Sequence, residues 1–118
     1  MPDNTAFDVK DALGRLMNNK KLYEKLLTKF EANYGDFYGK LQAAVDSGNF
    51  KDAQDLAHTM KGLGGNLGAK ELHAASLAVE TIFKTGGAAP DLPEKMAALD
   101  AELNRALAEV RAGVNMDV

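Results

Sequence analysis

Apolar residues recur three and four positions apart along almost the whole chain, and this spacing predicts α-helices. The sequence contains three prolines and no run of alternating β-branched residues, so it predicts no β-strand. Glycine and asparagine mark the expected breaks. The first three predicted helices span about residues 7–17, 20–33 and 36–47. The fourth runs from residue 50 to a turn at 66–68, and the fifth follows this turn and ends at the glycines 86–87. The last spans residues 93–113.

The four long amphipathic helices, joined by short connections, predict an all-α antiparallel up-down four-helix bundle. The extra short N-terminal helix is expected to lie across one end of it. A length of 118 residues, with 46% hydrophobic and 26% charged residues, fits one globular domain over 1–118. Its ordered core is expected from about residue 7 to about residue 113. One complete core also favours a monomer.

Charge and composition exclude several classes of function. The formal net charge is -3, and lysine and arginine are scattered among acidic residues, so no nucleic-acid surface is expected. Without cysteine the chain has neither disulfides nor a thiolate site, which fits a cytoplasmic location. No apolar run is long enough to span a membrane, and the polar start at residues 1–4 does not resemble a signal peptide.

His58 is the candidate functional residue, because the predicted fourth helix turns it away from the core. On a helical wheel with His58 at zero, Lys61 falls at about -60°, Gly62 at about +40° and Gly65 at about -20°. Glycine on a solvated face weakens a helix, so packing does not explain these residues. The expected core stripe, at about 140° to 220°, consists of Ala53, Leu56, Met60, Leu63 and Leu67.

Phosphoryl transfer explains this surface better than packing does. A neutral imidazole nitrogen can attack phosphorus without a strong base nearby. The transition state is loose and spreads charge over the phosphoryl oxygens, so a neighbouring cation and open access matter most. Lys61 supplies the cation, and Gly62 and Gly65 supply access for a partner protein.

The residues around His58 resemble a known family. Residues 57–69 read AHTMKGLGGNLGA, which closely resembles the phosphorylation motif of histidine-containing phosphotransfer (HPt) domains. Leu72 and Glu80 stand where that family commonly has Leu and Glu. Residues 13–23 look like the N-terminal helix of HPt domains fused to hybrid sensor kinases, so the resemblance runs from about Phe7 to Phe83, and the last helix is similar only in pattern.

The resemblance implies a function and partners. His58 is then the phosphoacceptor, Lys61 faces the phosphate, and Gly62 clears the approach. The chain is expected to take a phosphoryl group from the aspartate of a receiver domain and pass it to the aspartate of another response regulator. The chain is expected to be no independent enzyme, because its sequence contains no Gly-x-x-x-x-Gly-Lys-Ser/Thr loop, no kinase-type ATP motif and no second acidic cluster. It is also expected to bind no cofactor of its own, with Mg²⁺ on the partner receiver.

Other interpretations stay open at this stage. A passive docking or dimerisation bundle would make His58 incidental, and the phosphoacceptor domain of a chemotaxis-type kinase would receive phosphate from an ATP-binding domain. His73 is the other histidine, but Ser76 and Leu77 at three and four residues on supply no cation. No metal site is expected, because neither Glu-x-x-His nor His-x-x-x-His occurs.

Overall fold

A computed structural model describes residues 5–116, which form six α-helices and no strand. This confirms the predicted all-helical class. The polar start at residues 1–4, where the sequence predicts no signal peptide, lies outside the described residues. None of the helices within the described range is both long and apolar enough to cross a membrane. The helices are α1 (Val9–Arg15), α2 (Lys20–Tyr34), α3 (Phe37–Asp46), α4 (Phe50–Leu67), α5 (Lys70–Lys84) and α6 (Leu92–Ala112).

The ends of the helices follow from local chemistry. The Asn49 side chain caps α4 by accepting a hydrogen bond from the backbone N–H of Asp52 at 3.2 Å. Gly68 ends the same helix with φ +80°, a left-handed conformation that favours glycine. Pro93 lies in the first turn of α6, where its missing N–H costs no helical hydrogen bond. These signals explain why most predicted boundaries lie within a few residues of the observed ones.

The short N-terminal helix differs from the prediction. The predicted helix extends to about residue 17, but α1 ends at Arg15 and Met17 is 92% exposed. Met17 and Asn18 both have left-handed backbones, with φ of 55° and 60°. This tight turn lets Asn19 cap α2, because its side chain accepts from the Leu22 N–H at 3.0 Å.

The core lies among all six helices, and its closest packing is between α4 and α5. The small residues Ala53, Ala57 and Gly64 on α4 are buried there. A Cβ added to Gly64 would lie 3.0 Å from the backbone nitrogen of His73 on α5. The buried face of α4 is therefore turned toward α5, and Leu56 and Leu63 of the predicted stripe are half-buried.

Three donors from the N-terminal part of the chain bind the carbonyls at the C-terminal end of α4. The last carbonyls of a helix have no partner within it, so such donors stabilise an otherwise weak, glycine-rich end. The pairs are Tyr23 Oη to Leu67 O at 2.6 Å, Arg15 Nη2 to Gly65 O at 2.7 Å, and Asp8 N to Gly68 O at 2.7 Å.

Candidate functional site

His58 stands in the middle of α4 on the face opposite the buried residues, and its side chain is 68% exposed. Its orientation toward solvent is the one predicted from the helical wheel. The ring does not stand alone, because its Nδ1 lies 2.7 Å from Oε2 of Glu80 on the neighbouring helix α5. The close packing of α4 on α5 brings these two side chains together.

Glu80 is the buried centre of the site, with a side chain only 1% exposed. Its Oε1 lies 2.8 Å from Lys61 Nζ, so the ammonium and the carboxylate form a close ion pair. Lys84 Nζ lies 3.9 Å from the other oxygen, Oε2. The neighbouring Lys61 lowers the pKa of Glu80 below its usual 4.5, and contact with His58 acts in the same direction, while burial opposes both. Glu80 is therefore an anion at neutral pH.

The charge of Glu80 fixes the chemistry of the His58 ring. An ionised carboxylate only accepts hydrogen bonds, so the His58 nitrogen facing it, Nδ1, is the one that carries the proton. In the neutral ring the lone pair is then on Nε2, the nitrogen that makes no hydrogen bond to Glu80. A carboxylate that orients an imidazole in this way also stabilises positive charge on the ring.

The glycines near His58 occupy different environments. A Cβ added to Gly62 would meet no described atom within 4 Å outside its own helix backbone, so the surface beside His58 is open there. A Cβ at Gly65 would lie 3.3 Å from the ring of His73. The access role of Gly65 stays a prediction, and its contact with His73 is a packing reason for a small residue. Gly64, which the sequence did not single out, is needed for the close approach of α5.

His73 is half-buried between α4 and α5. Its Nδ1 lies 2.9 Å from the backbone oxygen of Lys61, so it contacts the helix backbone and not the Glu80 carboxylate. Within residues 5–116 no three histidine, aspartate or glutamate side chains are grouped so that they could hold a metal ion.

Sequence reasoning noted Glu80 only as part of a resemblance and did not assign it a role at the site. One signal was available. Glu80 falls at helical spacing among Ser76, Val79 and Phe83, which are all buried, so it is an acid on a core-facing stripe. A buried acid requires a cationic or hydrogen-bonding partner. The partner's identity depends on how α5 packs on α4, which periodicity does not specify.

One comparison with known proteins identifies a family for this chain. The chain matches the model of the Hpt domain over residues 25–112, a match that includes α6 and leaves α1 outside. No curated protein and no solved structure matched the chain. Hpt domains are phosphocarrier modules that exchange phosphoryl groups with receiver domains of response regulators, and are not themselves catalytic enzymes. Since the match covers most of the chain, this protein belongs to the Hpt domain family and is a phosphotransfer module of two-component phosphorelays.

Proposed function

We propose that this chain is an intermediate carrier that accepts a phosphoryl group on His58 from a receiver aspartate and later passes it to the aspartate of a second receiver. The observation that supports this most directly is the contact between His58 Nδ1 and Glu80 Oε2. It leaves the other ring nitrogen, Nε2, as the nucleophile on an exposed face of α4.

In the forward step, the Nε2 lone pair of His58 attacks the phosphorus of the aspartyl phosphate. An Nε2–P bond forms, the P–O bond to aspartate breaks, and the receiver carboxylate leaves as an anion. The ring keeps its Nδ1 proton and becomes cationic, and the Glu80 carboxylate at 2.7 Å stabilises that charge. Transfer to the second receiver reverses the same step, because the protonated ring is a good leaving group.

Lys61 is the cation of the proposed mechanism. Its ammonium lies 2.8 Å from Oε1 of Glu80, beside His58, and the Lys61 side chain is 22% exposed. We propose that it contacts phosphoryl oxygens brought to the ring. Such a positioned charge stabilises the negative charge that spreads over the transferring group. Gly62 leaves room for the receiver, with Gly65 one turn further on, and the Mg²⁺ of the reaction is proposed to come with the receiver.

The proposal also includes the finer architecture. We propose an antiparallel four-helix bundle in which α2 and α3 together occupy one of the four helix positions. Four helix–helix contacts support it: α3 with α4, α4 with α5, α5 with α6, and α6 with α2. We further propose that residues 1–118 form one domain that acts as a monomer in the cytoplasm.

A labelling experiment tests the phosphoacceptor. A phosphorylated receiver should give the chain an acid-labile, alkali-stable label, and His58→Gln should abolish it while leaving far-UV circular dichroism unchanged, because the ring faces solvent. His73→Gln should still be labelled to the wild-type stoichiometry. Full labelling of His58→Gln would show that another residue is the phosphoacceptor. Labelling by an ATP-binding kinase domain but by no receiver would favour a chemotaxis-type phosphoacceptor.

A further inference from the structure

Three lysines form a stripe on the exposed surface of α2. Lys21, Lys25 and Lys29 are spaced four residues apart, so they follow one another along one side of the helix. None of them makes an ion pair with any residue of the described range 5–116. Like charges at this spacing repel one another and destabilise a helix. Folding stability therefore does not explain why these positions are all lysine.

The acidic residues of α2 lie on its other side, toward α6. Oε2 of Glu31 accepts a hydrogen bond from Nε of Arg111 on α6 at 3.2 Å. Glu24 lines a cleft together with Val110, which is also on α6. The two carboxylates of α2 thus lie on its α6 side, whereas the lysine stripe lies on the exposed surface between that side and the side facing α4.

Lys29, the last residue of the lysine stripe, borders an apolar groove between α2 and α4. Its volume is about 250 Å³, below the roughly 300 to 1,000 Å³ of small-molecule pockets, so it suits the side chains of a partner protein better than an independent ligand. Leu63, which lines the groove, directly follows Gly62 in α4 and lies about 7.5 Å along the helix axis from His58 and about 140° around it. Its apolar lining comes from Leu26, Phe30 and Tyr34 of α2 and from Leu63 and Leu67 of α4.

We propose that this groove and the lysine stripe form a docking surface that selects among receivers. The receiver that fits carries apolar side chains bordered by carboxylates. The apolar side chains enter the groove, and the carboxylates face Lys25 and Lys29. This inference rests on the proposed function, because the surface matters only if a receiver must approach His58. It adds a charge criterion for which receivers exchange phosphate with this chain fastest.

Charge argues against other occupants. A second copy docking through the same patch would place lysines against lysines in a two-fold contact. A nucleic acid would need a wider basic surface than one stripe on a chain with net charge -3. An acidic protein surface is the occupant that the stripe complements, and such complementarity acts chiefly on the association rate and on the choice of partner.

Binding measurements with charge-reversed variants test the inference without requiring phosphoryl transfer. Purified receiver domains, held in the active form with Mg²⁺ and beryllofluoride, are titrated into wild type, Lys25→Glu, Lys29→Glu and the control Lys95→Glu. The control makes the same change in net charge on α6, away from the groove. The two α2 variants should raise Kd by about tenfold at low ionic strength. The difference should shrink near 1 M salt, where the Debye length is about 3 Å.

The stability of the variants separates docking from folding. Lys25→Glu replaces two repulsive contacts along α2 with attractive ones, so its melting temperature should rise while its binding weakens. Equal Kd values for the α2 variants and wild type at both salt concentrations would overturn the docking surface and leave the His58 labelling result intact. If no receiver binds even the wild type, both the docking surface and the proposed exchange with receivers are wrong.

Discussion

At the scale of single residues, one carboxylate links the two side chains on which the proposed chemistry depends. Oε2 of Glu80 contacts His58, and Oε1 of the same group contacts Lys61. A change at any of the three therefore alters the surroundings of the other two. Substitutions here are expected to act on transfer and on stability together, and measurements of both are needed to interpret them.

Lys61→Ala should slow phosphoryl transfer in both directions by about 10- to 100-fold, since a positioned cation contributes roughly 1 to 3 kcal/mol to stabilising developing phosphate charge. Lys61→Arg should keep more of the rate, because the charge remains while its geometry changes.

The alanine variant should also lose about 1 to 3 kcal/mol of unfolding free energy, because buried Glu80 loses its closest cation. Rapid-quench transfer rates and urea unfolding measure the two effects. Wild-type rates for Lys61→Ala would remove it from the mechanism.

The lowered pKa of Glu80 predicts a specific dependence of stability on pH. Its folded-state pKa lies below the usual 4.5, so its contribution is present above that value and is lost as the pH falls through the folded pKa. The difference in unfolding free energy between wild type and Glu80→Gln should therefore be largest near neutral pH and should shrink at acidic pH below about 4.5. Urea unfolding at a series of pH values measures it. A difference that stays constant across the series would contradict the assignment of charge to Glu80.

At the scale of elements, α4 uses neighbouring glycines for different purposes. Gly62 faces open surface beside His58, whereas Gly64 faces the backbone of α5. The sequence predicts the outward position of Gly62 correctly, because its angle from His58 is a property of one helix. The position of Gly64 depends on where a second helix packs, and a single-helix wheel contains no such information.

Gly62 and Gly64 provide a matched pair of substitutions two residues apart in the same helix. Gly62→Ala should raise the unfolding free energy by about 0.5 to 1 kcal/mol, because alanine is the better helix former and its Cβ meets no neighbour. Gly64→Ala should lower it by about 1 to 3 kcal/mol, because the new Cβ would crowd the backbone nitrogen of His73 at 3.0 Å. Urea unfolding compares them.

Two substitutions at Gly62 test the open surface beside His58. Gly62→Gln should reduce transfer from a receiver more than Gly62→Ala, since the longer side chain obstructs the approach to the ring while the bundle stays folded. Unfolding of the protein by Gly62→Gln, or unchanged transfer with a folded chain, would show that Gly62 has another role.

At the scale of the whole molecule, the sequence predicts local features well and the relations between helices less well. Helix ends such as Asn49 and Gly68 are determined by nearby residues, so they could be predicted. The outward face of His58 was predicted for the same reason. The partnership of His58 with Glu80 joins residues 22 positions apart on different helices, so it required the packing of α5 on α4.

Although the family match begins at residue 25, the N-terminal segment is part of the core. Phe7, Val9 and Leu13 are buried, and burial of each such side chain contributes about 1.5 to 3 kcal/mol. Their sum approaches the total stability of an ordinary domain, about 5 to 15 kcal/mol. A chain that begins at Asn19 should therefore melt at a much lower temperature or be largely unfolded. Thermal circular dichroism measures this, with full-length Lys10→Ala, a change on the surface of α1, as the control. Equal melting temperatures would show that α1 is dispensable.

The exposure of the His58 ring has a consequence for timing. A phosphoramidate on a side chain that is 68% exposed meets bulk water and passing proteins alike. If His58 carries the phosphoryl group as proposed, the phosphorylated state lasts only until hydrolysis or the arrival of the next receiver, whichever comes first. The lifetime of the phosphorylated state then depends on the concentration of receivers around the chain and not on an intrinsic property of the fold.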